Sequence, residues 1–421
     1  TKKITVDYPF LQLTIQKEYF PITEQLNCLL PALPLFESSS MIPREFQGQG
    51  EPVAMISYKG RSVPFVLEYP QDRFVINGDI CAMIDHIRQE EYVKKRRPIY
   101  TYVPINIQGI PAQWRRYIAR FLQREKKTDR EPLFPRYPKD YSVASLIGLL
   151  MFCAERVLGV KGNYTLWPHA KKYAFILTHD IDSDWLYQKD HLQRFLDVEN
   201  KYEIYGAWYF VANRYRHDLK KIDILNNAGH EIGLHGHNHD HKLAFLSEEK
   251  MRKRLDACRW FIDKYDVYGF RSPHYLRTPL LYEVLKDYVK YDTSMHDTYT
   301  PTSRVALFRE GCSSLHPFML TEGGGSLMEL PITIPEDFKV YRPELGSSSI
   351  VDQQLTQIAE IKKNGGLATL VVHPEPHFTV QQSYFDAFRE VLRVIGSDRD
   401  CWICRPKDVY EFWKLKVASF S

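Results

Sequence analysis

The 421-residue chain carries a net charge of +4, with 26% charged and 44% hydrophobic residues. That balance is globular, and so small a charge gives no electrostatic case for nucleic acid. The longest apolar run, Val143 to Leu158, contains Glu155 and Arg156 and is too short to cross a bilayer, so no transmembrane segment is expected.

Length favours two domains. Residues 1–165 read as an α+β unit. Lys3–Tyr8 alternates like a strand. Pro52–Tyr58 and Val63–Tyr69 look like a hairpin around Lys59-Gly60-Arg61. Ile99–Ile105 is a further strand candidate, held to a sheet edge by Pro104. One helix is expected from Pro111, with Trp114, Tyr117, Ile118 and Phe121 on one stripe, and a second from Ser142 as N-cap to Gly159. Lys94-Lys95-Arg96-Arg97 reads as a solvated loop, and Phe134-Pro135-Arg136-Tyr137-Pro138 as a connection leading out of the unit. No catalytic constellation is visible in this part.

Residues 166–421 have a different texture, with strand-like runs alternating with helix-period segments. The strand candidates are Ala174–Thr178, Ala207–Val211, Glu231–His235, Val267–Phe270, Val289–Asp292, Leu327–Ile334, Leu367–Val372 and Trp402–Cys404. Helices are expected at Asp190–Tyr202, Leu219–Ala228, Glu248–Tyr265, Pro279–Tyr288, Asp352–Lys363, Tyr384–Val394 and Pro406–Leu415. Alternation of this kind predicts a parallel sheet built from βα units, enough of them to close a barrel, with chemistry at the carboxyl ends of the strands.

The polar residues do follow the strands. Thr178-His179-Asp180-Ile181-Asp182 places two carboxylates after the first. His235-Gly236-His237-Asn238-His239 follows the third, and paired imidazoles suit a borderline divalent ion such as zinc. Arg271-Ser272-Pro273-His274-Tyr275 follows the fourth, with an arginine able to hold a carboxylate through two hydrogen bonds. Tyr291-Asp292-Thr293-Ser294 follows the fifth. His373 follows Leu370-Val371-Val372, where it can move protons near neutral pH.

Taken together, these stretches resemble the polysaccharide deacetylase family, the NodB-homology domain of carbohydrate esterase family four, over about residues 167–415. Gly229-His230-Glu231-Ile232-Gly233-x-His235-x-x-x-His239 is close to its second motif. Asp180 and Asp182 stand at its aspartate-rich first motif, Arg271-Ser272-Pro273 at its third, and Val371-Val372-His373 at its last. Glu329-Leu330-Pro331 is also similar to a run that many relatives carry.

The resemblance implies a deformed (β/α)7-type barrel, NodB-like, and hydrolysis of an N-acetyl amide on a sugar with metal-bound water as nucleophile. It implies a divalent metal, most commonly zinc, held by Asp182, His235 and His239. Asp180 would be the general base, His373 the general acid, and Arg271 the partner of the base. His274, Tyr275 and Asp292 are expected to line the substrate. The usual first motif has adjacent aspartates; here Ile181 intervenes, which leaves open how Asp180 and Asp182 divide their roles. His274 stands where many members have Tyr, with Tyr275 one step later, so the oxyanion donor is open too.

The expected partner is an N-acetylated glycan. The same barrel chemistry also admits a metal-dependent amidase on a small non-sugar amide, and the fold admits a non-catalytic carbohydrate-binding protein. The seven cysteines form no regular framework, and Cys401-x-x-Cys404 has no second pair. With no signal-peptide pattern visible, the expectation is reduced thiols and a cytoplasmic location.

Overall fold

The computed structural model describes residues 10–15, 27–31, 50–58, 61–93, 97, 99–102, 134–135, 139–159, 166–298, 310–320, 326–337, 347–376 and 378–418. The predictions for 3–8, 94–96 and 111–121 fall outside these residues.

In the N-terminal part, β1 (Phe10–Ile15), β2 (Asn27–Pro31), β3 (Glu51–Tyr58), β4 (Arg61–Tyr69) and β5 (Arg73–Ile76) form an antiparallel sheet in the order β2-β1-β3-β4-β5. The predicted hairpin is β3–β4, with Tyr58 opposite Arg61. Two helices, Ile80–Arg88 and Ser142–Leu158, share a core with this sheet through Phe65, Ile84, Leu146 and Leu149. Asp79 caps the first by accepting from Ala82 N at 2.9 Å. The second starts one residue earlier than expected. Ser142 is its first helical residue rather than its cap, and Asp140 Oδ1 takes the Ser142 N–H at 3.0 Å. Gly159 ends it in the left-handed region, as predicted. Ile99–Tyr102 is a 3-10 turn, not the start of a strand. Arg97 bonds both Thr101 Oγ1 and Thr101 O, which folds the segment back on itself.

The rest of the chain is a curled, mainly parallel sheet wrapped by helices. Its strands are β6 (Tyr173–Ile181), β7 (Ala207–Phe210), β8 (Glu231–Leu234), β9 (Gly269–Phe270), β10 (Tyr291–Asp292), β11 (Phe318–Met319), β12 (Met328–Glu329), β13 (Leu367–Val372) and β14 (Cys401–Ile403). Among the described residues, seven of them run parallel in the order β12-β10-β9-β8-β7-β6-β13. β14 joins β6 in parallel, and β11 pairs antiparallel with β12. The curl brings the segment after β12 to β13, where Ile334 N donates to Thr369 O at 3.3 Å. This is the NodB-type (β/α) barrel that the strand spacing and the resemblance imply.

Alternation along β6 sets up the site. Phe175, Leu177 and Ile181 pack outward with Trp208, Phe210 and the helices, while Ala174 and Ile176 pack inward with Tyr209 and Tyr291. His179 shares the outward face. It stacks on Trp208 with centroids 3.8 Å apart, and its Nε2 lies 3.0 Å from the buried Glu199. Asp180 is therefore inward, and Asp182, two residues on, shares its side. Pairing with β7 runs unbroken from Thr178 to Ile181, so the intervening Ile181 needs no bulge.

Two inward tyrosines explain two glycines. A Cβ at Gly233 would lie 2.4 Å from the Tyr209 ring, and one at Gly269 would lie 2.1 Å from the Tyr291 ring. The two hydroxyls meet at 2.8 Å, and Tyr291 also bonds Glu231 at 2.6 Å. Glu231 takes Lys407 N at 2.8 Å as well, capping the helix Pro406–Ala418. The glutamate of the histidine-rich motif is thus a structural residue.

The predicted helix Glu248–Tyr265 is two helices, Glu248–Asp256 and Arg259–Tyr265. Cys258 N donates to Leu255 O, three residues back, while its thiol donates to Arg254 O, so the α-helical ladder breaks there. Six cysteines are free thiols, Cys81 exposed and Cys153, Cys258, Cys312, Cys401 and Cys404 buried. No helix among the described residues is long and apolar enough to cross a membrane.

Candidate active site

Asp182, His235 and His239 converge where β6 and β8 end. Asp182 Oδ1 lies 3.3 Å from His235 Nε2 and 3.0 Å from His239 Nε2, and the three ligand atoms fall within 4.8 Å of one another. An ion bound tetrahedrally at about 2.0–2.1 Å would set its ligands roughly 3.3 Å apart. Asp182 Oδ1 is buried and, those two ring nitrogens aside, has no partner. Burial alone would raise the Asp182 pKa, but His239 and His235 hold it well below the usual carboxylate range. His235 Nδ1 faces Arg271 O at 2.9 Å, which fixes the tautomer with Nε2 turned to Asp182. One carboxylate oxygen and two imidazole nitrogens, preorganised in this way, fit a divalent ion.

Asp180 sits beside this trio. Its Oδ1 is held by Arg271 Nη1 at 2.9 Å. Its Oδ2 faces both His235 Nε2, at 4.0 Å, and His373 Nε2, at 3.7 Å. Arg271 is fully buried, with its other contacts to Thr178 Oγ1, Thr293 O and Thr293 Oγ1 and its guanidinium over the Tyr209 ring. Burial works against the Arg271 charge, but Asp180 outweighs it and raises the pKa. Thr178 and Thr293 escaped the sequence reading, because a hydroxyl at a strand end carries no signal of its own.

His373 is held from behind. Its Nδ1 lies 2.7 Å from Asp337 Oδ1, and Asp337 also accepts the His373 N–H and the Thr379 hydroxyl. Burial alone would push the imidazole down; Asp337, then Asp180 and Asp182, carry it up to about 10. Asp337 was missed, although the signal existed. Glu336 and Asp337 follow the apolar run ending at Ile334, the same pattern that singles out Asp180 and Asp182.

The three expected substrate residues fare differently. His274 and Tyr275 both adopt left-handed backbone, φ 54° and 56°, a strained pair in one turn. The His274 ring lies 3.9 Å from that of His241 and 6.2 Å from that of His239, and burial together with His239 lowers its pKa to about 4. The Tyr275 hydroxyl is bonded to Glu336, which also lies 2.7 Å from His296 Nε2. Asp292 does not line a cleft. It is fully buried, and its two oxygens accept Ser294 N at 3.0 Å and Ser294 Oγ at 2.9 Å. Ser294 Oγ in turn accepts Ser272 N at 2.9 Å. Asp292 therefore braces the turn that carries Arg271, and a strand-end position alone did not reveal that its side chain turns into the wall.

A curled, mainly parallel sheet with an Asp/His/His cluster at its carboxyl end defines the class as a NodB-type barrel. Residues 169–295 match the model of the polysaccharide deacetylase family. A peptidoglycan deacetylase of Helicobacter pylori is 26% identical over 115 residues, which is 26% of this chain and 39% of that relative. The match thus spans about two fifths of the relative's length. A structure from Mycobacterium smegmatis described as a polysaccharide deacetylase aligns at 20% identity over 59% of this chain and 93% of that one, with a TM-score of 0.47. The PuuE allantoinase aligns at 15% identity over 61% and 95%, with a TM-score of 0.46.

Proposed function

We propose that the chain hydrolyses the N-acetyl group of an amino sugar within a glycan, with a divalent metal, most commonly zinc, at Asp182, His235 and His239. The observation that carries this is the meeting of that trio with Asp180 and His373, one carboxylate oxygen lying between the two histidines.

A bound divalent ion supplies Lewis acidity at the amide carbonyl and the attacking water. The chain's own residues do the rest. Arg271 pins one oxygen of Asp180, so the other is the one presented to take a proton from the water. On this reading Asp180 is the base and Asp182 the ligand. His373, kept protonated by Asp337, delivers its Nε2 proton to the leaving amine, which departs poorly as an anion. Tyr275 N–H is spent on Ser272 O at 2.7 Å, so of the two residues after Pro273 it is His274 whose N–H serves the developing oxyanion.

The test pairs metal content with acetate release. Zinc-loaded protein should release acetate from N-acetylglucosamine oligomers. Asp180→Asn should keep the zinc and lose about 10²-fold or more in kcat. His235→Ala/His239→Ala should lose both. Zinc-loaded wild type that releases no acetate from such oligomers would sink the reading.

A further inference from the structure

The loop after β7 is built into the candidate site. Ala212 N and Asn213 N donate to Gly236 O and His237 O, at 3.2 and 2.8 Å, within the histidine-rich turn. The Tyr215 hydroxyl donates to Ile181 O at 2.6 Å, between the two aspartates. His217 is fixed by Ala212 O and the Tyr187 hydroxyl, both at 3.0 Å. Trp260 Nε1 donates to Asn213 Oδ1 at 3.2 Å, with its indole 43% exposed.

Beside this loop runs an open groove of about 450 Å³, lined by Asn213, Arg214, Tyr215, Arg216, His217 and Trp260. Its lining holds the exposed Arg216, the half-buried Arg214 and the exposed Trp260, and the hydrogen bonds above tie this frame to the turn that carries His235 and His239.

An indole face accepts the apolar face of a pyranose. Guanidinium groups recognise carboxylates through paired hydrogen bonds. We propose that this groove is a subsite for a sugar bearing a carboxylate, adjacent to the N-acetyl sugar that is processed. The inference rests on the function proposed above for the choice of a glycan, and it names the glycan class as an acidic one.

The test is binding without turnover, read by Trp260 fluorescence quenching and calorimetry. The probes are a tetrasaccharide alternating N-acetylglucosamine and glucuronic acid, and the uncharged tetramer of N-acetylglucosamine. The acidic probe should bind about tenfold tighter at low salt. Arg214→Gln/Arg216→Gln should remove that preference and leave the neutral tetramer's affinity unchanged. Trp260→Ala should weaken both. Arg216→Gln alone, at an exposed position, serves as a second variant with little risk to folding and should reduce the preference in part. Equal binding of the two probes, or a preference that survives the double variant, would overturn the proposal. A preference seen in protein that releases no acetate would refute the hydrolytic reading and leave the subsite standing.

Discussion

Asp337 Oδ1 lies 2.7 Å from His373 Nδ1, and the same carboxylate receives the backbone N–H of His373. Two contacts from one side chain fix both the ring and the strand end that carries it. The sign of the effect is set by charge: a buried imidazole should titrate low, yet this one is raised to about 10. Asp337→Asn should therefore pull the alkaline limb of the kcat/KM profile down by about a unit or more. At neutral pH it should lower kcat roughly 10- to 100-fold. A pH–rate profile with an unmoved alkaline limb would show that another group sets it.

The same pair makes a stability prediction. A folded-state pKa above the unfolded value means that the His373 charge stabilises the fold fully below about pH 6.5. That contribution is lost as pH rises toward about 10. Denaturant titrations of metal-free protein at pH 6 and pH 10 should show the loss, and His373→Gln should flatten it.

Arg271 is completely buried with Asp180 against it. Removing one partner of a buried pair strands the other charge, typically at about 3–5 kcal/mol. Arg271→Met should destabilise by roughly that amount and abolish activity. Arg271→Lys should fold better but cannot reproduce four contacts from one ammonium, so its kcat should stay about 10²-fold low. Denaturant midpoints and single-turnover rates separate the two losses.

Zinc should bind the folded chain and not the unfolded one. Added at a hundred times its Kd, it should stabilise by about 2.7 kcal/mol. His239→Ala should remove that response; because it also takes a partner from the buried Asp182 Oδ1, the comparison is the zinc-dependent shift within each protein, not the metal-free melting temperature. A zinc-dependent shift that persists in this variant would place the ion elsewhere.

Much of this site was legible because a parallel barrel confines chemistry to the residues that follow apolar runs. Asp180, Asp182, His235, His239, Arg271 and His373 are each found that way. Period-two alternation also puts Asp180 and Asp182 on one face, as β6 shows. What sequence does not carry is side-chain direction once the strand has ended. Asp292 turns into the wall to hold Ser294. Asp337 comes from a stretch without a regular period and reaches back to His373. The outer half of the sheet was overread for a similar reason. Val267–Phe270 and Val289–Asp292 each read as four-residue strands, but in the curled sheet only Gly269–Phe270 and Tyr291–Asp292 keep the ladder.

Glu90, from the N-terminal part, forms a buried pair with Arg277 of the barrel. Arg277 Nε donates to Glu90 Oε2 at 2.7 Å, and its Nη2 bonds the other oxygen. Arg277 Nη1 also donates to Tyr275 O at 2.8 Å and Ser294 O at 3.2 Å. One arginine thus ties the N-terminal part to the turn that carries Arg271 and to the loop braced by Asp292. Glu90→Gln leaves the buried Arg277 charge with only the more distant Glu310, at 3.5 Å, and should cost up to about 3–5 kcal/mol. Glu90→Leu/Arg277→Met removes both charges. It should recover most of that loss but not the roughly 1–3 kcal/mol for the two carbonyls left without their donor. The double variant should then be more stable than Glu90→Gln yet less active than it, because only the double variant releases the turn. Denaturant unfolding and kcat/KM measured on all three proteins decide this. If the double variant is the more active, the N-terminal part stabilises the barrel without positioning its catalytic turn.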